Sequence, residues 1–503
     1  MRIQGMKAAA LAAAVVLLAG TAQAAVNTGS ATMTKVVAIG DSWGMGVSNA
    51  SILVGHQQNS FPALVAKQVG ITDFQQPLVS EPGIGPEYAL FNLLPSPVIG
   101  PKASSSGSPT NLTLPRAYDN MAIAGANTCD VVNKRAGTSA SDATNLVLRG
   151  SGATQLEMAL SLRPTFVLVH IGGNDVLGAV LSGVAIEGVT LTPTSTVQAC
   201  YHQIMAGIAA VGAKAAVATF PNRVAEAPYA NAVKPYVTLS NGTKLYLTGQ
   251  NGSGSTIQLT DRDYLGLAAG AYIQAGYGLP AGVGNGQPLP NSVVIDRDEV
   301  AAIEARADAI HAIIRSEANA AGAAIVEEGA FFHSLYASPL KIGGMSLGTG
   351  FLTGGVYGYD GFHPTDIGYG LIANLYIAAI NEKFGADIPG VDMFPLLFGP
   401  SASPRALLSD SEASQAVFED GAEDQLRGLA GVPSRDAIEA ILAAQQTTPA
   451  EETPVDVSPE GEGPRDAEID AEPQPALDPV EDPSGEPPVG EDPPNPRGHF
   501  ELD

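Results

Sequence analysis

The chain has 503 residues, with 25 Lys+Arg against 51 Asp+Glu and a formal net charge of −26. With 45% hydrophobic and 15% charged residues it can bury a real core, which excludes a wholly disordered chain. The acidic balance excludes nucleic-acid binding through a basic face, and two cysteines, Cys129 and Cys200, build neither a zinc site nor a disulfide-rich scaffold.

Residues 1–24 read as an export signal. Arg2 and Lys7 precede an uncharged small-apolar run over 8–20, and Ala22-Gln23-Ala24 offers a cleavage site. The run is too short for a comfortable bilayer span and no later one replaces it, so no stable membrane span is expected. Export to the periplasm or beyond would put Cys129 and Cys200 in an oxidising compartment, where a disulfide between them is possible.

Strand and helix then alternate. A buried strand is predicted at 35–39, a helix at 61–69, the strongest buried strand at 165–171, and a helix at 197–211 leading into a strand at 214–219. A long helix over 298–321 carries Ile303, Ala307, Ile310 and Ile314 on one face, a short strand follows at 323–326, and Pro364 opens a last helix over 365–384. This alternation predicts an α/β fold, a parallel sheet with helices on both faces, within a domain spanning 25–400. An insertion rich in Gly, Ser, Thr and Asn is expected around 178–290, over 178–197 and 225–289. It includes a hairpin at 236–247 around Asn241-Gly242 and an apolar stretch, 264–289, as the candidate acyl-pocket lining. Residues 401–446 suggest short helices, such as one over 435–444, with no evident partner. From 447 to 503 there are 17 acidic and 2 basic residues and 13 prolines, a composition that predicts a disordered, solvated tail.

Four short stretches carry chemistry. Gly40-Asp41-Ser42-Trp43-Gly44 follows the first strand, where a serine on a sharp turn projects above the carboxyl end of a parallel sheet. In Asp360-Gly361-Phe362-His363-Pro364, a carboxylate three residues before an imidazole can fix its tautomer and leave the other ring nitrogen to take a proton from serine. Gly172-Gly173-Asn174-Asp175 ends the strongest strand and can aim an amide at a developing oxyanion. In Asn120-Met121-Ala122-Ile123-Ala124-Gly125-Ala126, Gly125 can offer a bare backbone N–H to the same charge. Asp308 and His311 repeat the Asp-x-x-His spacing but fall mid-helix, where a solvated helical pair is expected; His170, inside a strand, is expected to be a satisfied core histidine.

Taken in order, these stretches resemble the four blocks of the SGNH, or GDSL, hydrolases, over roughly residues 34–384. The resemblance implies a three-layer α/β/α sandwich of flavodoxin-like layout with a central parallel sheet. It implies Ser42 as nucleophile, His363 as general base and acid, and Asp360 as its orienting partner. The oxyanion hole would be Asn174 with the backbone N–H groups of Gly125 and Ser42. Two positions depart from the pattern: Trp43 stands where the family name has leucine, and Ala124 replaces a proline often found before the second-block glycine. Gly40-x-Ser42-x-Gly44 also fits the nucleophile elbow of α/β-hydrolases, but that fold places its serine after several strands.

The implied activity is hydrolysis of an acyl or lipid ester through an acyl-serine, the GDSL-type esterase or lipase reaction, on a small-molecule or lipid ester and with no metal or organic cofactor. Asp41 and Asp175 are expected to be turn or supporting groups, not metal ligands. The alternatives are a carbohydrate O-acetyl esterase using the same triad and a secreted binding protein that kept the fold without turnover.

Overall fold

The computed structural model describes residues 25–93, 96–138, 141–342, 344–398, 413, 415–419, 421–434, 436–438 and 440–442. The expected export signal at 1–24 and acidic tail at 447–503 lie outside the described residues.

The elements that build the site are, in chain order, β1 (Val36–Gly40), α1 (Ser42–Met45), β2 (Tyr88–Asn92), β3 (Val98–Pro101), β4 (Phe166–His170), α2 (Asn174–Ser182), α3 (Thr194–Ala210), β5 (Lys214–Ala218), α4 (Arg297–Ala320), β6 (Ala324–Val326), α5 (Asp366–Phe384), β7 (Val417–Phe418) and α6 (Ala422–Leu429). The central sheet runs β1-β4-β5-β6 and is parallel throughout, with Val36 opposite Phe166, Phe166 opposite Lys214 and Ala324 opposite Ala216. On the outer side of β1 the segment 119–123 adds itself to the sheet: Ala38 N–H donates to Asp119, and Met121 and Ile123 N–H donate to Ala38 and Gly40.

Successive strand side chains point to opposite faces, and here both faces are covered. Val37, Ile39, Val167, Val169, Ala215 and Val217 pack into one apolar cluster with α2, α3 and α4. Val36, Ala38, Phe166, Leu168, Ala216 and Val326 pack into another with α5 and the helix Phe61–Gln68. This is the three-layer α/β/α sandwich. Burial on both faces explains why these strands read as continuous apolar runs, each Val or Leu side chain contributing ~1.5–3 kcal/mol. Ile303, Ala307, Ile310 and Ile314 form the buried stripe of α4 as their spacing predicts, and a capping box of Asp296 and Glu299 starts that helix.

The expected insertion is shorter at its first part. Gly178–Ser182 completes α2 and Thr194 begins α3, because both stretches carry apolar residues at helical spacing that pack on the sheet. The hairpin forms as predicted, with Tyr236 opposite Tyr246. Cys129 and Cys200 are joined in a disulfide, which ties the loop after Gly125 to α3. No helix among the described residues is long and apolar enough to cross a membrane.

Candidate active site

Three of the four chemistry-bearing stretches leave the carboxyl end of a strand or of the segment added beside β1, and the fourth, Asp360–His363, lies just before α5. Ser42 follows β1, Gly125 follows the added segment 119–123, and Asn174 follows β4. Gly40 has φ +147°, and a Cβ there would sit 2.0 Å from the His170 carbonyl oxygen, so only glycine lets β1 turn this close to β4. The Gln155 amide clamps the same residue, accepting from Gly40 N–H and donating to its carbonyl, both at 2.9 Å. Asp41 caps α1 by accepting from Trp43 N–H at 3.0 Å, which fixes the turn that carries Ser42. Asn120 donates to the Gly44 carbonyl at 2.8 Å and closes the turn from the other side.

Asp360 and His363 are both buried and hydrogen-bonded to each other, Oδ2 to Nδ1 at 2.9 Å. Asp360 Oδ1 accepts from the N–H of Phe362 and His363, and Oδ2 also accepts from Ala50 N–H at 2.5 Å. Burial works against the Asp360 carboxylate, but His363 and these N–H groups outweigh it and hold its pKa below the usual carboxylate range. An ionised Asp360 accepts the Nδ1 proton and leaves the lone pair on His363 Nε2. That atom is buried and has no hydrogen-bond partner among the described residues. Asn49 and Ala50, which face this loop, have φ +50° and +56°, an uncommon conformation for side chains other than glycine. It is held by Asn49 accepting from Tyr359 N–H and donating to Glu87.

Asn174 donates one amide proton to the Ala126 carbonyl at 2.8 Å, which pins α2 to the Gly125 loop and leaves the second N–H of the amide for a ligand. Asp175 holds the same loop, Oδ2 accepting from Thr128 N–H at 3.0 Å and from its hydroxyl at 2.6 Å. Burial pushes the Asp175 pKa up to about 6. The N–H groups of Ser42 and Gly125 donate to no other group among the described residues.

Ser42 and Asn174 line a cleft of about 110 Å³ walled by Trp43, Val176, Leu177, Phe220, Ile303 and Phe362. Neither His363 nor Asp360 lines this cleft, but the Phe362 ring lies 4.3 Å from the His363 ring. No hydrogen bond joins Ser42 Oγ to His363 Nε2, and Gly125 lies off the cleft wall. The stretch 264–289 does not line the cleft, contrary to expectation; Leu267 instead packs beneath Gly361 in the Asp360 loop.

His170 is the satisfied histidine its strand position predicts, but its partners are charged. Nδ1 meets Asp41 at 3.1 Å, Nε2 meets Glu328 at 3.2 Å, and the Trp43 ring stacks on it. Burial would lower its pKa; the two carboxylates outweigh it and raise the pKa well above the ordinary value. His311 is not solvated as expected. It is buried, Nε2 accepts from Phe220 N–H at 3.2 Å, and burial with Arg315 nearby pushes it down to about 4. Asp308 pairs with Arg223 instead of His311. A half-buried network that sequence gives no sign of, His56 between Glu87 and Asp366, braces the start of α5 just past His363. Among the described residues no group of His, Cys, Asp and Glu is arranged to hold a metal ion.

No family model and no curated protein matches the sequence. Among solved structures the chain is similar to a phospholipase A1 from Streptomyces albidoflavus NA297, with 16% identity over 70% of this chain and 100% of that one, at a TM-score of 0.28. It is similar to an acetyl xylan esterase, with 14% identity over 68% and 98% and a TM-score of 0.29, and to an extracellular lipase from Streptomyces rimosus, with 16% identity over 69% and 98% and a TM-score of 0.28. Likenesses this weak decide nothing about chemistry. In layer order and blocks, the chain resembles the SGNH hydrolases. What its site does rests on its own side chains.

Proposed function

We propose that the chain is an exported serine hydrolase that cleaves carboxylic esters of apolar acyl groups. The observation that carries this reading is the buried His363, its Nδ1 on Asp360 and its Nε2 without a partner among the described residues, with its neighbour Phe362 lining the same cleft as Ser42. A buried nitrogen without a partner is costly unless a reacting group completes it, and catalytic hydrogen bonds are often long before substrate arrives.

His363 Nε2 takes the Ser42 proton as Oγ attacks the ester carbonyl. The oxyanion is met by the free Asn174 N–H and the backbone N–H groups of Ser42 and Gly125. The proton passes from His363 to the departing alcohol, and water, activated by the same nitrogen, then releases the acid from Ser42. The cleft wall of Trp43, Val176, Leu177, Phe220 and Ile303 favours an acyl chain longer than acetyl. The Cys129–Cys200 disulfide and the N-terminal signal pattern support export.

Ser42→Ala is expected to lower hydrolysis of p-nitrophenyl octanoate by about 10⁴–10⁶-fold with an unchanged unfolding midpoint. Octanoate is expected to turn over faster than acetate. Retained turnover in the variant contradicts the assignment of Ser42, and a preference for acetate or acetylated polysaccharide favours the O-acetyl esterase alternative.

A further inference from the structure

The segment beyond the last sheet helix α5 returns to the site. β7 pairs in parallel with β3, Val417 opposite Val98 and Phe418 opposite Ile99. α6 follows, with Ala422 and Leu426 fully buried in the main apolar cluster and the Tyr88 hydroxyl donating to the Ala422 carbonyl. Three contacts from this segment fall on three separate parts of the site. The backbone at 429–431 lies on Gly125: a Cβ there would come within 2.9 Å of the Leu429 carbonyl oxygen, Ala430 C and Gly431 N, and Gly125 has φ +76°. Gln425 donates to the carbonyls of Ala50, at 3.1 Å, and Pro86, at 2.8 Å, and Ala50 N–H is a donor to Asp360. The buried Arg427 donates to the Leu181 carbonyl at 2.7 Å, near the end of the helix that begins with Asn174, and to Pro433 at 2.8 Å.

We propose that residues 415–419 and 421–434 form a positioning strap that fixes the Gly125 loop, the Asn174 helix and the Ala50–Asp360 contact relative to one another. This rests on the ester-hydrolase reading of the same site. None of the strap residues lines the cleft, so the strap acts through other residues, by keeping the oxyanion donors aimed at one point. A donor set preorganised in this way stabilises the transition state and not the bound ester, so loosening the strap lowers kcat and leaves KM in place.

The test uses the full chain and two substitutions, Gln425→Ala, which removes both carbonyl contacts, and Gly431→Ala, whose Cβ would stand 3.0 Å from the Gly125 carbonyl oxygen. Expected are a fall in kcat of about 10–100-fold, the scale of a misplaced reacting group, and a KM within about twofold of wild type. The affinity for a trifluoromethyl ketone with an octyl chain, whose adduct places an oxyanion in the hole, is expected to fall by the same factor as kcat. A merely structural strap would lower the unfolding midpoint without moving that affinity. If Gly431→Ala does not fold, Gln425→Ala alone decides. Unchanged kcat and inhibitor affinity in a folded variant, or a raised KM at constant kcat, overturns the strap while wild-type activity leaves the ester-hydrolase reading standing. An inert wild-type chain overturns that reading, and the strap with it.

Discussion

Asp360 does more than orient His363. Its two oxygens take four donors, and together they keep it ionised in a buried place where burial alone would favour the acid. Asp360→Asn keeps the shape but presents an amide to Nδ1, so the wrong tautomer of His363 is favoured. The expected outcome is a fall in kcat of about 10⁴-fold with little change in KM, measured at the plateau of the pH profile; a loss below tenfold would contradict the role given to Asp360. The Asp-His pair was legible in the sequence because both groups share one turn. Its supports were not: Ala50 and Asp360 are 310 residues apart and Gln155 and Gly40 are 115 apart, and nothing in local spacing announces contacts of that range. His311 misled for a related reason. Its helical position was readable, but its burial against Phe220 depends on how α4 packs on the end of β5.

Between elements, the Asp175 carboxylate fastens α2 to the loop that carries Gly125. Its pKa of about 6 in the fold lies above the ordinary aspartate value of 3.8, so the folded state binds this proton more tightly than the unfolded one. The associated stability is fully present below about pH 3.8 and is lost as pH rises through 6, a change of ~3 kcal/mol. Asp175→Asn removes this titration, so its urea midpoint is expected to fall less between pH 4.5 and pH 7.5 than that of wild type. Parallel slopes for the two proteins would contradict the buried, proton-retaining Asp175. The sandwich layers were legible because strands buried on both faces and helices with one apolar stripe have distinct periods, as at 166–170 and along α4. The start of the insertion was misjudged because Gly178 and Ser182 look like loop residues, yet Gly178 is where α2 closes on Thr190 and Ser182 bonds back to the Gly178 carbonyl.

Across the whole molecule, long-range closures hold the carboxyl edge of the sheet. The disulfide joins residues 71 apart and anchors the Gly125 loop to α3. On the chain-entropy view a loop of that length stabilises the fold by about 4 kcal/mol, so the double variant Cys129→Ala/Cys200→Ala is expected to unfold at markedly lower urea; an unchanged midpoint would contradict a structural role. The pairing of the two cysteines was readable from the expected export signal and their number, whereas the return of residues 415–419 and 421–434 to the site was not, since the short amphipathic pieces there show no partner in sequence. Ser42 and Asn174 meet in one cleft because each follows the carboxyl end of a strand of the parallel sheet, and in the proposed function His363 serves the same serine. That proposal is tested most directly by labelling the full chain with a fluorophosphonate and locating the adduct by peptide mass. Stoichiometric modification of Ser42, lost in His363→Ala at neutral pH, is the expected result; no adduct, or an adduct on another residue, would contradict a nucleophilic Ser42.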